Sequence, residues 1–292
     1  MKPFLKWAGG KTQLLNEIQK KIPKKFNNYH EPFVGGGSVM LLMLKLIENK
    51  EIKMNGKMYI YDLNSTLINI YKNIQNNKDE LYKIIEKYIN EYNSIQTFNG
   101  NKKPKNKEDA LSSKESYYYW LRNVYNKLNT NDITRSALFM IMNKLCFRGL
   151  YREGPNGFNV PFGNYKKTPT IISKDDLVIL NKMFQNVEFK CCDFSEAFKK
   201  IKKDDYVYLD PPYVPENNTS FVSYNKEGFN IDKHNELFIL IKNLKCKFQM
   251  SNSYTDKVIE EFKDYRIKKI LCKRSINSKN PEAKTYEVII NN

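Results

Sequence analysis

The sequence predicts an α/β domain of the nucleotide-binding type, interrupted by a mainly helical insertion. Three observations carry that prediction. A strand-like run ends on a glycine turn that opens a helix (Tyr29 to Ser38, with Glu31 and Gly35-Gly36-Gly37). A second, Lys57 to Tyr61, ends on Asp62, and a third, Tyr206-Val207-Tyr208-Leu209, ends on Asp210-Pro211-Pro212-Tyr213. Between the second and the third lie about a hundred residues whose apolar positions recur at the helical period.

Taken in order, Pro3 to Thr12 is a glycine-containing loop. It feeds an amphipathic helix expected from about Gln13 to Lys21, closed off by Pro23. Gly9-Gly10-Lys11-Thr12 is not a phosphate-binding loop: that motif needs a glycine where Leu5 stands, and a strand before it. The glycine turn after Glu31 leads to an apolar helix from Val39 to about Ile47. The third glycine of the dinucleotide fingerprint is replaced by Met40. From that turn to Asp62 the spacing suits an acid at the next strand's end that accepts a pair of ribose hydroxyls. An adenosine-containing ligand is the expectation.

From Ser65 onward helices are expected through Leu67 to Ile74, Leu81 to Ile95, Lys114 to Leu128 and Ile133 to Cys146, with a polar loop from Asn99 to Lys107. The aromatic run Tyr117 to Trp120 reads as core. Phe147 to Gly163 is dense in turn residues, aromatics and arginine, and fits neither a helix nor a long strand. A loop that pairs arginine with apolar wedges can read base edges and open a stack. After Ser173 the alternation returns. The elements expected are helix Asp175 to Phe184, strand Val187 to Lys190, helix Phe194 to Ile201, the strand leading to Asp210, helix Asp232 to Leu244, strand Cys246 to Met250, helix Thr255 to Phe262, and strands Arg266 to Leu271 and Thr285 to Ile290.

The Asp210 motif has an unusual chemical profile. Its prolines lack N–H groups and fix φ, so the backbone leaves the sheet extended and rigid. A carboxylate, a carbonyl and an aromatic face then lie together at the carboxyl end of a strand, where open α/β sheets bind ligands. That set suits an exocyclic amino group on a flat base; a strand-ending turn with a capping Asp is the plainer alternative.

Lys and Arg outnumber Asp and Glu by 49 to 32 in 292 residues, a formal charge of +17 that suits a polyanionic partner, nucleic acid first. Five cysteines without a C-x-x-C pair, and only His30 and His234, assemble no zinc spacing. Neither a membrane-length apolar run nor a signal-peptide core is visible, so a soluble intracellular protein is expected.

Taken together and in this order, the motifs resemble the Dam-type (alpha-group) DNA adenine-N6 methyltransferases over nearly the whole chain. Phe4 to Lys11 matches the family's N-terminal cofactor motif and Glu31 to Ser38 its glycine motif. Asp62 matches its ribose-binding acid, Asp210 to Tyr213 its catalytic motif, Asn159 to Gly163 the end of its recognition hairpin, and Lys273 to Ile276 a basic element. The resemblance implies a Rossmann-like S-adenosylmethionine-dependent sheet over 1–64 and 171–292. It implies a helical target-recognition domain over 65–170, with a hairpin at 147–165. S-adenosylmethionine is the implied cofactor, without a metal, and double-stranded DNA the implied partner; neither a membrane nor an obligatory protein partner is expected. Implied cofactor positions are Trp7, Lys11, Phe33, Gly35, Gly37, Asp62 and Asp210; catalytic positions are Asp210, Pro211 and Tyr213. DNA contacts are implied for Lys6, Phe147, Arg148, Leu150, Arg152, Pro161, Arg274 and Asn277. In Gly149-Leu150-Tyr151-Arg152, the arginine matches the family's guanine-contacting residue, which implies a GATC target. The chain departs from the pattern at Arg148, where relatives commonly carry Asn. Open alternatives are the same motif class acting on RNA or a protein amide, and an inactive DNA-binding relative.

Overall fold

The computed structural model describes residues 3–130, 132–215, 229–273 and 284–292. A 3-10 turn (Lys11–Gln13) precedes α1 (Leu15–Gln19), β1 (Lys25–Phe26), β2 (Tyr29–Glu31), α2 (Ser38–Glu48), β3 (Lys53–Met54) and β4 (Met58–Asp62). Then come α3 (Ser65–Asn76), α4 (Lys78–Ser94), α5 (Lys107–Ala110), α6 (Lys114–Lys127), α7 (Ile133–Leu145), the short strands β5 (Glu153–Gly154) and β6 (Gly157–Phe158), and α8 (Lys174–Phe184). The chain finishes with β7 (Val187–Cys191), α9 (Phe194–Phe198), β8 (Tyr206–Leu209), α10 (Ile231–Lys242), β9 (Lys247–Ser253), α11 (Asp256–Glu261), β10 (Arg266–Lys273) and β11 (Lys284–Asn291).

Among the described residues the main sheet has seven strands in the order β10-β11-β9-β8-β2-β4-β7. The pairs β9–β8, β8–β2, β2–β4 and β4–β7 are parallel, while β11 runs antiparallel to both neighbours. From β2 the chain steps outward through β4 and β7, then returns to place β8 on the other side of β2. The order therefore reverses between β2 and β8, and a doubly wound sheet binds its ligands at such a switch point, outside the carboxyl ends of the strands. Glu31 and Asp210 lie at those two ends. Every residue of β8 is buried, as a central parallel strand covered on both faces requires. One face is sealed by Val207, Leu209, Phe248, Met250, Val288 and Ile290 against Leu237, Phe238, Ile241 and Val258 of α10 and α11. Each such side chain contributes about 1.5–3 kcal/mol on burial.

The chain divides into two compact units. The first comprises residues 11–63 and 187–292, and holds the main sheet; the second comprises the segment ending at Gly10 and residues 64–186. These boundaries differ from the expected 1–64 with 171–292. Helix α8 belongs to the helical unit because Asn181 Nδ2 donates to the carbonyls of Ile74 (2.9 Å) and Gln75 (2.7 Å), and Phe184 packs edge-on against Tyr71. The N-terminal segment joins it because Lys6 and Asn143 exchange two hydrogen bonds, each 2.8 Å. Within that unit α7 is buried along most of its length. Tyr117 and Tyr118 are core, as expected, with their hydroxyls bound to Glu91 and to the Val160 carbonyl.

Several element ends depart from expectation, three of them for a visible reason. The helix anticipated over 13–21 splits, because Leu14 at its start has no capping side chain and the preceding residues coil as a 3-10 turn. Helix α9 stops at Phe198, with 3-10-type bonds from Lys200 and Ile201 closing its last turn. Strand β9 runs on through Ser251, Asn252 and Ser253, because β11 pairs with all three. Among the described residues no helix is long and apolar enough to cross a membrane.

Candidate active site

The site in the sheet unit is built where β8 ends. Pro211 is buried and Pro212 exposed, so the rigid dipeptide turns Asp210 and Tyr213 toward the switch point. The 3-10 turn delivers Lys11, only 5% exposed, and its Nζ lies 2.8 Å from Asp210 Oδ2. Asp210 Oδ1 is buried without a hydrogen-bond partner among the described residues. Burial pushes this carboxyl up to about 6, against the pull of Lys11 and with a further push from Glu287. An enclosed acceptor that leaves a lone pair unmet costs about 1–3 kcal/mol unless a ligand supplies the donor. The oxygen keeps its capacity to accept a hydrogen bond, as do the buried Tyr206 hydroxyl and Gln249 Oε1, which also lack a partner among the described residues.

Tyr213 is held at both ends. Its ring lies under the Lys11 ammonium, 4.8 Å from the centroid, and its hydroxyl donates to Glu287 Oε2 at 2.7 Å. The next residue is gripped through its backbone: Val214 N donates to Asn252 Oδ1 (3.1 Å), and Ser253 Oγ donates to Val214 O (2.5 Å). One turn further back, Tyr208 and Ser251 share a hydroxyl bond of 2.7 Å. The polar end of β9 thus fixes the course of the chain after Asp210. Sequence reading missed Asn252, Ser253 and Glu287; a buried Ser-Asn-Ser at a strand end was the signal available.

The glycine turn supplies the neighbouring wall. Gly35 and Gly37 have φ of 49° and 75°, conformations in which a side chain is strained. Gly35 N donates to Asp62 Oδ2 at 2.9 Å, so the turn and the acid predicted to serve the same ligand are joined. Phe33 packs on Phe194 (5.7 Å) and Phe229 (5.9 Å), and Leu63, beside Asp62, is 72% exposed. Glu31 is buried and accepts the Tyr29 hydroxyl (2.7 Å). Burial raises its carboxyl well above the usual range, and the charges of Asp210 and Asp62 raise it further. Leu63 and Phe194 carry no role in the sequence reading: Leu63 adjoins Asp62, and Phe194 lies far in sequence from any of the motifs, while Glu31 opens the glycine motif without a role of its own.

The remaining predicted residues that the structure describes lie in the helical unit. Trp7 packs against Tyr151 (5.0 Å between ring centroids) and Phe139. Lys6 Nζ sits over the Tyr165 ring at 4.7 Å. Phe147 is 45% exposed, Arg148 and Pro161 are exposed, and Leu150 is half-buried. Arg148 has φ 56°, ψ 11°, followed by Gly149 at φ 67°: two successive left-handed residues. A Cβ at Gly149 would stand 2.4 Å from Lys6 Cδ, so this turn is seated directly on the N-terminal segment. Arg152 donates from Nε to Asn159 Oδ1 (2.6 Å) and from Nη2 to Asn159 O (3.2 Å), closing the β5–β6 hairpin. Those bonds engage two of its five donors. Arg122, which sequence reading passed over, holds the same hairpin through the Val160 carbonyl. Arg274 and Asn277 lie outside the described residues.

A family model described as D12 class N6 adenine-specific DNA methyltransferase matches residues 7–276. The chain is 38% identical to the type II methyltransferase M.MjaIII of Methanocaldococcus jannaschii, covering 100% of this chain and 99% of that one. It is 34% identical to the type II methyltransferase M1.LlaDCHI of Lactococcus lactis subsp. cremoris (100% and 95%). It is also 34% identical to a DNA adenine methylase of Haemophilus influenzae (96% and 89%). With the match spanning both the Lys11–Asp210 site and the Arg152 hairpin, the chain belongs to the D12 class of N6 adenine-specific DNA methyltransferases.

Proposed function

We propose that this protein transfers a methyl group from S-adenosylmethionine to N6 of an adenine turned out of duplex DNA, with GATC as the target. The observation that carries the reading is the buried, unpartnered Oδ1 of Asp210, one residue before the rigid Pro211. Adenine N6 is a weak nucleophile because its lone pair is delocalised into the ring. Hydrogen bonds from its two N–H groups to Asp210 Oδ1 and the Pro211 carbonyl would draw the nitrogen toward tetrahedral geometry. That frees the lone pair to form the N–CH3 bond as the methyl group's bond to the donor sulfur breaks, leaving a neutral thioether, and the cationic nitrogen then gives up its proton to solvent. Catalysis is then electrostatic positioning of a near-attack geometry.

The residues suit this cofactor. Asp62, anchored by the Gly35 amide, has the placement of a ribose acceptor. Phe33 and the exposed Leu63 offer apolar surface for a flat base, with Phe194 packed behind Phe33, and Trp7 a further plane; Lys11 offers a charge for a carboxylate. Once bound, S-adenosylmethionine supplies an electrophilic methyl group on its sulfonium. Tyr213 would stack on the extruded base. Phe147 and Pro161 are the apolar wedges exposed on the recognition loop, and Arg152 keeps donors free for a guanine edge. Lys6, Arg148, Leu150, Arg274 and Asn277 complete the proposed DNA contacts.

The test is transfer from labelled S-adenosylmethionine to unmethylated DNA, to RNA and to protein, with N6-methyladenine then mapped in the DNA. Label in DNA at GATC adenines is expected; label only in RNA or protein would overturn the substrate, and another motif would overturn the target. Asp210→Ala should retain DNA affinity and lose transfer. S-adenosylmethionine at a hundred times its Kd should add about 2.7 kcal/mol of stability, read as a rise in Tm.

A further inference from the structure

Stacking on a base needs only an aromatic ring, yet Tyr213 also carries a hydroxyl, and that hydroxyl is bound. It donates at 2.7 Å to Glu287 of β11, 74 residues away in sequence. Glu287 stands opposite Ser253 in β9 and opposite Ile270 in β10, so its backbone is held on both sides. The ring has a cation above one face and a carboxylate at its tip. Rotation about Cα–Cβ, which swings the whole ring, would break both contacts.

We propose that Glu287 is a positioning residue for methyl transfer: through the Tyr213 hydroxyl it pins the far end of the ring on which the target base stacks, and so fixes where that ring lies. This rests on the reading of Tyr213 as the stacking surface. A base that slides or tilts on a free ring carries its N6 away from Asp210 and from the line of attack, and small misplacements are costly in a step governed by orientation. Glu287 has a second, electrostatic consequence, since its charge opposes ionisation of Asp210. Among the described residues, the other groups around the pair are Lys11, Glu31 of β2, Tyr208 of β8, and the buried Cys272 thiol of β10. Of these described groups Lys11 is the cation, and it is bound to Asp210.

The experiment compares Glu287→Ala, Glu287→Gln, Tyr213→Phe and the Tyr213→Phe/Glu287→Ala double variant on duplex DNA. Glu287→Ala should lower kcat roughly tenfold or more, the loss of a hydrogen bond to a charged group, with little change in KM for S-adenosylmethionine. Glu287→Gln keeps an acceptor for the phenol, so its plateau kcat should stay within about threefold of wild type. Its acidic limb should move to lower pH, because a negative charge beside Asp210 is gone. Tyr213→Phe should match Glu287→Ala, and the double variant should be no worse than either alone. An unchanged kcat in Glu287→Ala, losses that multiply in the double variant, or a glutamine as impaired as the alanine would each overturn the proposal. Tyr213→Ala tests the underlying reading separately: if removing the ring leaves transfer intact, stacking itself is wrong. If that variant fails while Glu287→Ala is normal, only the role of Glu287 falls.

Discussion

The two oxygens of Asp210 have different surroundings. Oδ2 is bound to Lys11, which favours the charged form, and Oδ1 is buried without a hydrogen-bond partner among the described residues, which suits the proposed acceptor role. Burial outweighs the lysine, so the carboxyl sits at about 6, above the ordinary aspartate value of 3.8. Raised affinity for a proton means that the carboxylate is lost as pH falls through about 6. Single-turnover transfer should therefore reach a plateau above neutrality and decline tenfold per unit on the acid side; a rate independent of pH down to 5 would show that an ionised Asp210 is not required. Lys11, Asp62 and Asp210 were legible in sequence because each sits in a local signature of glycine, proline or strand end. Glu287, Asn252 and Ser253 were not, because each acts on a residue 38 to 74 positions away. Nothing in the local pattern of β11 tells Glu287 from an ordinary surface acid on a half-buried strand.

At the level of elements, the recognition turn is the segment where local preference and observed backbone disagree. Arg148 occupies the left-handed region, which costs an L-residue with a Cβ about 1–2 kcal/mol and is tolerated best by Gly and Asn. What Arg148 gains in return is a guanidinium over the exposed Phe147 ring at 5.3 Å, worth about 0.5–1 kcal/mol at such a site. The strain is the larger quantity, so Arg148→Asn should raise the Tm by a few degrees in a thermal melt; a lower Tm would mean that the arginine is held by more than that contact. An arginine retained at a strained, exposed position of this loop fits the proposed DNA contact rather than a structural role. Elements whose limits follow local apolar runs, such as β8, α6 and α7, were read from sequence to within a residue. Limits that depend on capping, 3-10 closure or pairing with a distant strand, as in α1, α9 and β9, were not.

For the whole molecule, the formal charge of +17 is its broadest electrostatic property. If about six phosphates are neutralised on binding, DNA affinity should fall by about a thousandfold between 50 and 200 mM salt. Fluorescence anisotropy with a short duplex measures this directly, and an affinity indifferent to salt would separate the charge from DNA binding. Composition alone carried that expectation, since net charge does not depend on where the chain goes.

Composition and local pattern determined the α/β class, the helical interruption, and the three strand ends that bear the glycine turn, Asp62 and Asp210. These depend on what neighbours in sequence do to φ, ψ and burial, and neighbours in sequence are always present together. Only the tertiary structure decided that β8 inserts beside β2, so that the order reverses between Glu31 and Asp210. It also decided that α8 and the N-terminal segment count with the helical unit, and that β9 and β11 supply the residues gripping Val214 and Tyr213. Those outcomes depend on which buried surfaces and unmet hydrogen-bonding groups find one another across tens of residues, and a one-dimensional pattern of polarity leaves that pairing open.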